Sequence, residues 1–130
     1  MSTQSSIAIA QPEDAAAFLK SRLVDLPCET FACMFLDSQH ALVAFETWAP
    51  GAVTNDARDS RHFNQRCLAH KAAAIVTAHN TTASPHESAE ADRVLTTQLR
   101  RALHQIDVRL LDHFVVADGE ALSLAKRGLL

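Results

Sequence analysis

Residues 72–78 form an apolar run that includes Ile75 and Val76 and is flanked by polar stretches on both sides. A short run without alternation between apolar and polar residues is typical of a strand that is buried on both faces. Such a strand needs a covering layer on each side of its sheet. The chain is therefore predicted to be an α/β domain in which a central strand lies between layers of helices.

Two amphipathic helices are predicted in the first half of the chain. Residues 12–26 begin with a proline and two acidic residues, which suit the first turn of a helix, and Pro27 marks the end. The second helix follows the polar stretch 54–60, with Asp59 or Ser60 as its cap. The apolar stripe of the first helix consists of Ala15, Leu19, Leu23 and Leu26.

A third, longer helix is predicted after the polar loop 80–85. Ser84, Pro85 and Glu87 follow the order of a capping box, so this helix begins as early as Pro85. Its apolar stripe consists of Ala91, Leu95, Leu99, Ala102 and Ile106.

The remaining strands are predicted on both sides of the central one. Residues 31–36 and 41–48 are apolar or alternating, and the turn-like segment 37–40 joins them into a hairpin. The last strands are predicted at 108–111, 114–116 and 121–124, with a turn at Asp118 and Gly119 before the final one.

Length and composition suit one globular domain. The chain has 130 residues, 48% of them hydrophobic and 21% charged. We expect a flexible N-terminus over residues 1–10 and a single domain over residues 11–130. Because no apolar run approaches the ~18 residues of a membrane span, and residues 1–6 lack the features of a signal peptide, a cytoplasmic location is expected, with no membrane association.

The charge pattern gives no support to nucleic-acid binding. The formal net charge is −3, the longest basic run is the pair Arg100 and Arg101, and the chain has one Trp and no Tyr for base stacking. Three cysteines without a Cys-x-x-Cys pair predict neither a disulfide framework nor a cysteine zinc site. Most of the seven histidines are scattered without metal-like spacing and are expected to be exposed or hydrogen-bonded.

His79 and Asp92 are the residues most suggestive of a site. His79 ends the central strand, and Asp92 follows near the start of the next helix, so the carboxylate can turn back toward the imidazole. Two interpretations remain open on this spacing: a pair of metal ligands, or a hydrogen-bonded His beside a solvated Asp.

Four segments, taken in order, are similar to one known family. The tail reads Leu110-Leu-Asp-His-Phe-Val-Val-Ala-Asp-Gly and continues through Ser123-Leu-Ala-Lys-Arg-Gly-Leu-Leu. The other three are the hairpin segment 35–40, the strand 72–80, and Asp92 with Thr96. Over roughly residues 7–130, the chain resembles the C-terminal domain of the RadC family.

The resemblance implies a fold and a set of site residues. The implied fold is a three-layer JAB/MPN domain, cytidine-deaminase-like, with a mixed, curved sheet flanked by helices. In JAB/MPN metallopeptidases two His and one Asp hold zinc, and an upstream Glu is the acid and base. Carried over, these positions imply His79 and Asp92 as metal ligands and Glu29, or less favourably Glu46, as the catalytic residue. The second His falls on Thr81, so a zinc site here is expected to be incomplete.

Two functions follow from this resemblance. The first is a non-catalytic binding module that has a degenerate zinc site, acts through a protein partner and has a link to DNA repair. The alternative is a zinc-dependent metallopeptidase that hydrolyses a peptide or isopeptide substrate, with His86 as a candidate to replace the missing ligand. The sequence leaves the oligomeric state open.

Overall fold

A computed structural model describes residues 7–24, 26, 28–48, 57–82 and 84–130, with the backbone alone described for residues 57–61. The strands form one sheet in the order β2-β1-β3-β4-β5, in which β3 and β4 are parallel and all other neighbours are antiparallel. The sheet is therefore mixed. The elements are α1 (Pro12–Leu23), β1 (Phe31–Leu36), β2 (Leu42–Trp48), α2 (Ala57–Ala69), β3 (Ala74–Asn80), α3 (Pro85–His104), β4 (Arg109–Ala117) and β5 (Glu120–Ser123).

Helices cover both faces of this sheet. Alternate residues of β1 point to opposite faces, so Met34 packs with α1 in one core and Phe35 packs with α2 and α3 in the other. All six residues of β1 are consequently buried. The three-layer α/β architecture and the central position of β3, both predicted from the sequence, are confirmed.

Two helices differ from their predicted limits. α1 ends at Leu23, three residues before the predicted end, and Leu26 is 38% exposed. Leu26 precedes Pro27, a position that disfavours the helical conformation. α2 already contains Asp59 and Ser60, so neither residue caps it. None of the described helices has the length and apolar character of a membrane span.

α3 begins at Pro85 as predicted, but its buried face is rotated from the predicted stripe. Ala91 is exposed, whereas Thr96 and Leu103 are buried. Thr96 tolerates burial because its hydroxyl donates a hydrogen bond to the carbonyl of Arg93 at 3.0 Å, which leaves its methyl group free to pack. The fully buried positions are Ala89, Thr96, Leu99 and Leu103.

β4 is one continuous strand, and the two separate strands predicted at 108–111 and 114–116 are wrong. Asp112 and His113 interrupt the apolar pattern, yet both are buried within the strand. The Asp112 carboxylate accepts hydrogen bonds from the Ser123 hydroxyl and from the backbone N–H of Ala125 at 3.0 Å. Asp112 therefore fastens the C-terminal segment to β4.

Residues 7–10 pack against the β1–β2 hairpin. Ala8 forms a bridge with Ala41, and Ile9 is buried in the core beside α1. The predicted domain boundary at residue 11 falls directly after this packed stretch, and residues 1–6 lie outside the described residues.

Candidate functional site

The three predicted site residues meet at one edge of the sheet. Glu29 lies two residues before β1, His79 is the penultimate residue of β3, and Asp92 lies in the first half of α3. β1 and β3 are antiparallel with Phe31 opposite His79, so the segment before β1 runs beside the end of β3. Glu29, His79 and Asp92 are therefore neighbours in space although they are distant in sequence.

His79 lies between two carboxylates. Its Nε2 is 3.1 Å from Oε1 of Glu29, and its Nδ1 is 3.3 Å from Oδ2 of Asp92. A neutral imidazole has one N–H, whereas two carboxylate acceptors favour the protonated ring with two. The hydrogen bond with Asp92 raises the pKa of His79 despite the opposing effect of burial, and Glu29 adds to this increase. The folded protein therefore favours the charged form of His79.

His113 is the site residue that the sequence did not indicate. Its side chain is fully buried, with Nε2 2.7 Å from Oδ2 of Asp92 and Nδ1 2.7 Å from the hydroxyl of Thr77. Thr77 can donate to Nδ1 while Nε2–H donates to Asp92, which satisfies all three groups. Thr77 and His113 are directly paired in the parallel β3–β4 register, a relationship that residue spacing does not reveal.

Asp92 is consequently an acceptor for two histidines through one oxygen atom. Burial alone would raise the pKa of its carboxyl group, but the hydrogen bonds and charges of His113 and His79 outweigh burial and hold this pKa well below its usual value. With a side chain only 13% exposed, Asp92 is an ionised carboxylate held in a defined position.

Thr81 completes the cluster on the side of Glu29. Its hydroxyl donates to Oε2 of Glu29 at 3.2 Å and accepts a hydrogen bond from the Ser88 hydroxyl at 3.4 Å. Its backbone N–H donates to the carbonyl of Val116 at 2.9 Å, which fixes the residue beside β4. Glu29 is thus bound to His79 through one carboxylate oxygen and to Thr81 through the other.

Comparison with known proteins identifies the scaffold. The family model described as the RadC-like JAB domain matches residues 9–129. The chain belongs to the RadC family. This RadC-like domain is 41% identical to a UPF0758 protein of Nitrosococcus oceani over 122 residues, and 43% identical to one of Pseudomonas fluorescens over 121 residues. These matches cover 94% and 93% of the chain and 54% of each relative. The chain therefore spans about half the length of the curated relatives it matches.

The donor set of this RadC-like domain does not fit the usual catalytic zinc site. Such a site takes three protein ligands and leaves a fourth position for water. Here His79 and Asp92 supply two, and Thr81, at the third position, has a neutral hydroxyl that hydrogen-bonds to Glu29. Within the described residues, no three His, Cys, Asp or Glu side chains are arranged to hold a metal ion. These side chains therefore do not supply the ligands that zinc-dependent catalysis needs.

The two other candidates from the sequence lie elsewhere in the RadC-like domain. His86 accepts a hydrogen bond from the Arg127 guanidinium at 2.7 Å and takes no part in the contacts around Asp92. Glu46, on β2, is paired with Arg66 of α2 and with His70, the residue directly after α2. Of the two glutamates considered, Glu29 is the one in contact with His79.

A groove of about 550 Å³ lies beside the cluster, between the end of α1 and the ends of β3 and β4. Val24 and Leu26 form one apolar rim and are 54% and 38% exposed. Glu29 and Asp118 are the acidic residues of its lining, which contains no basic side chain among the described residues. We call this feature the site groove.

Proposed function

We propose that this RadC-like JAB domain is a non-catalytic module that binds an extended segment of a protein partner in the site groove. The observation that carries the proposal is the hydrogen bond from Thr81 to Glu29. Thr81 stands where the family pattern has a zinc-binding His, and Glu29 stands where the pattern has its acid and base. These two residues are hydrogen-bonded to each other.

Hydrolysis by the family's usual chemistry requires more than this cluster provides. Metal-assisted attack on an amide needs a bound, activated water and a carboxylate that can accept its proton. Two protein ligands are fewer than catalytic zinc ordinarily has. Glu29 and Thr81 of this cluster instead line one wall of the site groove, where the Glu29 carboxylate supplies negative charge.

The groove indicates the chemistry of the segment it binds. Exposed Val24 and Leu26 suit apolar side chains of a partner, whereas Glu29 and Asp118 suit a Lys or Arg. We therefore propose a segment in which apolar and basic residues alternate. A link to DNA repair, as the family resemblance suggests, would come through such a partner rather than through direct contact with nucleic acid.

The experiment uses the purified protein to select binding peptides from a random library. The affinity of the selected peptides is then measured for the parent protein and for its variants. We expect selected peptides to be apolar and basic. Val24→Gln should weaken their binding by roughly 10-fold, because an anchor side chain in an interface contributes about 1–2 kcal/mol. Val43→Gln is the matched control, since Val43 is a comparably exposed valine (42%) on β2, outside the groove.

Mass analysis of the bound peptides after incubation with zinc tests the alternative. Peptides that remain intact support the non-catalytic function. Cleavage that requires both zinc and Glu29 would overturn it in favour of a zinc-dependent peptide or isopeptide hydrolase. Equal loss of binding in the Val24→Gln and Val43→Gln variants would overturn the assignment of the site groove.

A further inference from the structure

Basic side chains from two elements surround a second cleft. Arg100, Arg101 and His104 come from the last turns of α3, and Arg109 comes from the start of β4. The cleft has a volume of about 600 Å³, and its lining contains no acidic residue. We call it the basic cleft. The basic cleft lies where α3 ends and β4 begins, whereas the site groove lies at the C-terminal ends of β3 and β4.

The arginines of the basic cleft have no counter-charge within the part of the chain that the structure describes. No ion pair or side-chain hydrogen bond joins Arg100, Arg101 or Arg109 to another described residue. Arg93, earlier on the same helix, instead has Glu90 at 3.9 Å. Positive charge therefore accumulates at the cleft although the chain as a whole is acidic, with a net charge of −3.

Stabilisation of the helix end explains part of this pattern. Cations in the last turn interact favourably with the negative end of the helix dipole, which accounts for Arg101 and His104. It does not account for Arg109, which belongs to a strand and faces the same cleft. Buried Val108 and partly buried Leu110 also line the cleft and give it an apolar part. A polar rim over an apolar floor is the general form of a ligand site.

We propose that the basic cleft binds a small molecule with a terminal phosphate or diphosphate group. Three guanidinium groups around one cleft favour a ligand with more than one negative charge in a small volume. A phosphate monoester carries about two charges and three acceptor oxygens, whereas a carboxylate carries one charge. Guanidinium groups bind phosphate oxygens in pairs, which gives this ligand a geometric as well as an electrostatic match.

A nucleic-acid duplex fits these observations less well. Each internal phosphodiester carries a single charge, and affinity for duplexes rests on a row of such contacts. The basic cleft is one compact feature, and its lining contains no Phe, Tyr or Trp that could stack on a base. Its volume of about 600 Å³ lies within the range of small-molecule sites.

The experiment measures binding of inorganic pyrophosphate to the full chain by calorimetry at low ionic strength. We expect one pyrophosphate per chain. Arg100→Gln and Arg109→Gln should each weaken binding by roughly 10-fold, because each removes charged hydrogen bonds to the anion. Arg93→Gln is the matched control: it removes the same charge from the same helix, outside the cleft, and should change affinity by less than about 2-fold.

Three outcomes would overturn the proposal. The first is the absence of pyrophosphate binding by the parent protein, and the second is equal weakening by Arg93→Gln, which would show an effect of net charge alone. The third is tighter binding of a DNA duplex without terminal phosphates than of pyrophosphate, which would assign the cleft to nucleic acid. The substituted residues Arg100, Arg109 and Arg93 are all exposed, so the variants are expected to fold, and thermal melting checks this. Peptide binding in the site groove should be unaffected, which separates this test from that of the proposed function.

Discussion

His79 has a protonation state that depends on the fold, because two carboxylates hold its two ring nitrogens. The unfolded chain loses both contacts, so folding and proton binding are coupled. The coupling has opposite signs for the two partners: the pKa of His79 is raised in the folded state, whereas that of Asp92 is lowered.

The first prediction is a window of pH in which this cluster stabilises the fold. The stabilisation from His79 is complete below about pH 6.5 and is lost as pH rises through its raised pKa. The stabilisation from Asp92 is complete above about pH 4 and is lost as pH falls through its lowered pKa. Both contributions are therefore complete between about pH 4 and pH 6.5. His79→Gln should cost about 1.5–3 kcal/mol of unfolding free energy near pH 5.5 and less near pH 9.

Denaturant unfolding of the parent and of His79→Gln across this range measures the difference. His104→Gln is the control: His104 is exposed and has no carboxylate partner among the described residues, so its interaction with the end of α3 should contribute less than about 1 kcal/mol. A constant difference between the parent and His79→Gln at all pH values would contradict the coupling.

The second prediction concerns Thr81, the position of the missing ligand. Thr81→His should raise zinc affinity by ~10-fold or more, because it adds a third donor beside His79 and Asp92. Zinc must displace a proton from His79, so affinity should increase with pH. Zinc titration of the parent, Thr81→His, and Thr81→His combined with Asp92→Ala tests this. Equal, weak binding by all three proteins would show that the three positions do not converge on one ion.

Individual site residues were predictable from the sequence to different degrees. The pattern of the RadC family indicated Glu29, His79 and Asp92, and their side chains are indeed in contact. His113 was not indicated, because its link to Asp92 depends on the parallel pairing of β3 with β4. When the role of a residue depends on the register of two strands that are distant in sequence, spacing along the chain cannot predict that role.

At the scale of elements, β4 contributes to both cores and to the site. Phe114 packs on the α1 side, and His113 contacts Asp92 of α3 on the other side. The strand also holds the C-terminal segment through Asp112. Loss of packing along β4 should therefore affect the fold and the site together.

The third prediction tests this packing. Phe114 is 2% exposed, so Phe114→Ala should cost about 3–5 kcal/mol through the cavity that it leaves. Val94→Ala is the control, because Val94 is 52% exposed on α3 and should change stability by less than about 0.5 kcal/mol. Thermal or denaturant unfolding measures both. A Phe114→Ala variant as stable as Val94→Ala would be inconsistent with the position of β4 in the core.

The limits of the elements were predictable to different degrees: α3 begins at Pro85 as predicted, whereas the central strand, predicted at 72–78, spans Ala74–Asn80. β1 begins and ends as predicted, because its six consecutive apolar residues coincide with the strand. The pattern predicts two strands in place of β4 because Asp112 and His113 interrupt its apolar residues, and only the structure shows the partners that satisfy them. Buried polar residues that are satisfied by distant groups are therefore where pattern reasoning fails.

At the scale of the whole molecule, two cores on opposite faces of the sheet are the main source of stability. The α/β class was predictable because one strand that is apolar on both faces requires helices on both sides. Which helix covers which face was not predictable, because that depends on the strand order.

The fourth prediction is that the fold does not depend on metal. Chelator should change the melting temperature of the purified protein by about 1 °C or less, because apolar burial and not ligation holds the layers together. The protein should also carry far less than one equivalent of zinc. Thr81→His with added zinc is the positive control, since a ligand that binds the native state raises the melting temperature. A stoichiometric zinc content in the parent, lost with chelator together with stability, would contradict this prediction.

The strand order has a consequence for the path of folding. β1–β2 and β4–β5 are hairpins of adjacent segments, whereas β3 lies between β1 and β4 and pairs with strands that are both far away along the chain. Loop closure makes such distant pairings slow, so the two hairpins should form first and β3 should join them last. Pulsed hydrogen exchange during refolding should then protect the amides of β1 and β4 on their hairpin edges before those of β3. The cluster around His79 would be assembled in that final step, because it brings β3 to Glu29 on one side and to His113 on the other.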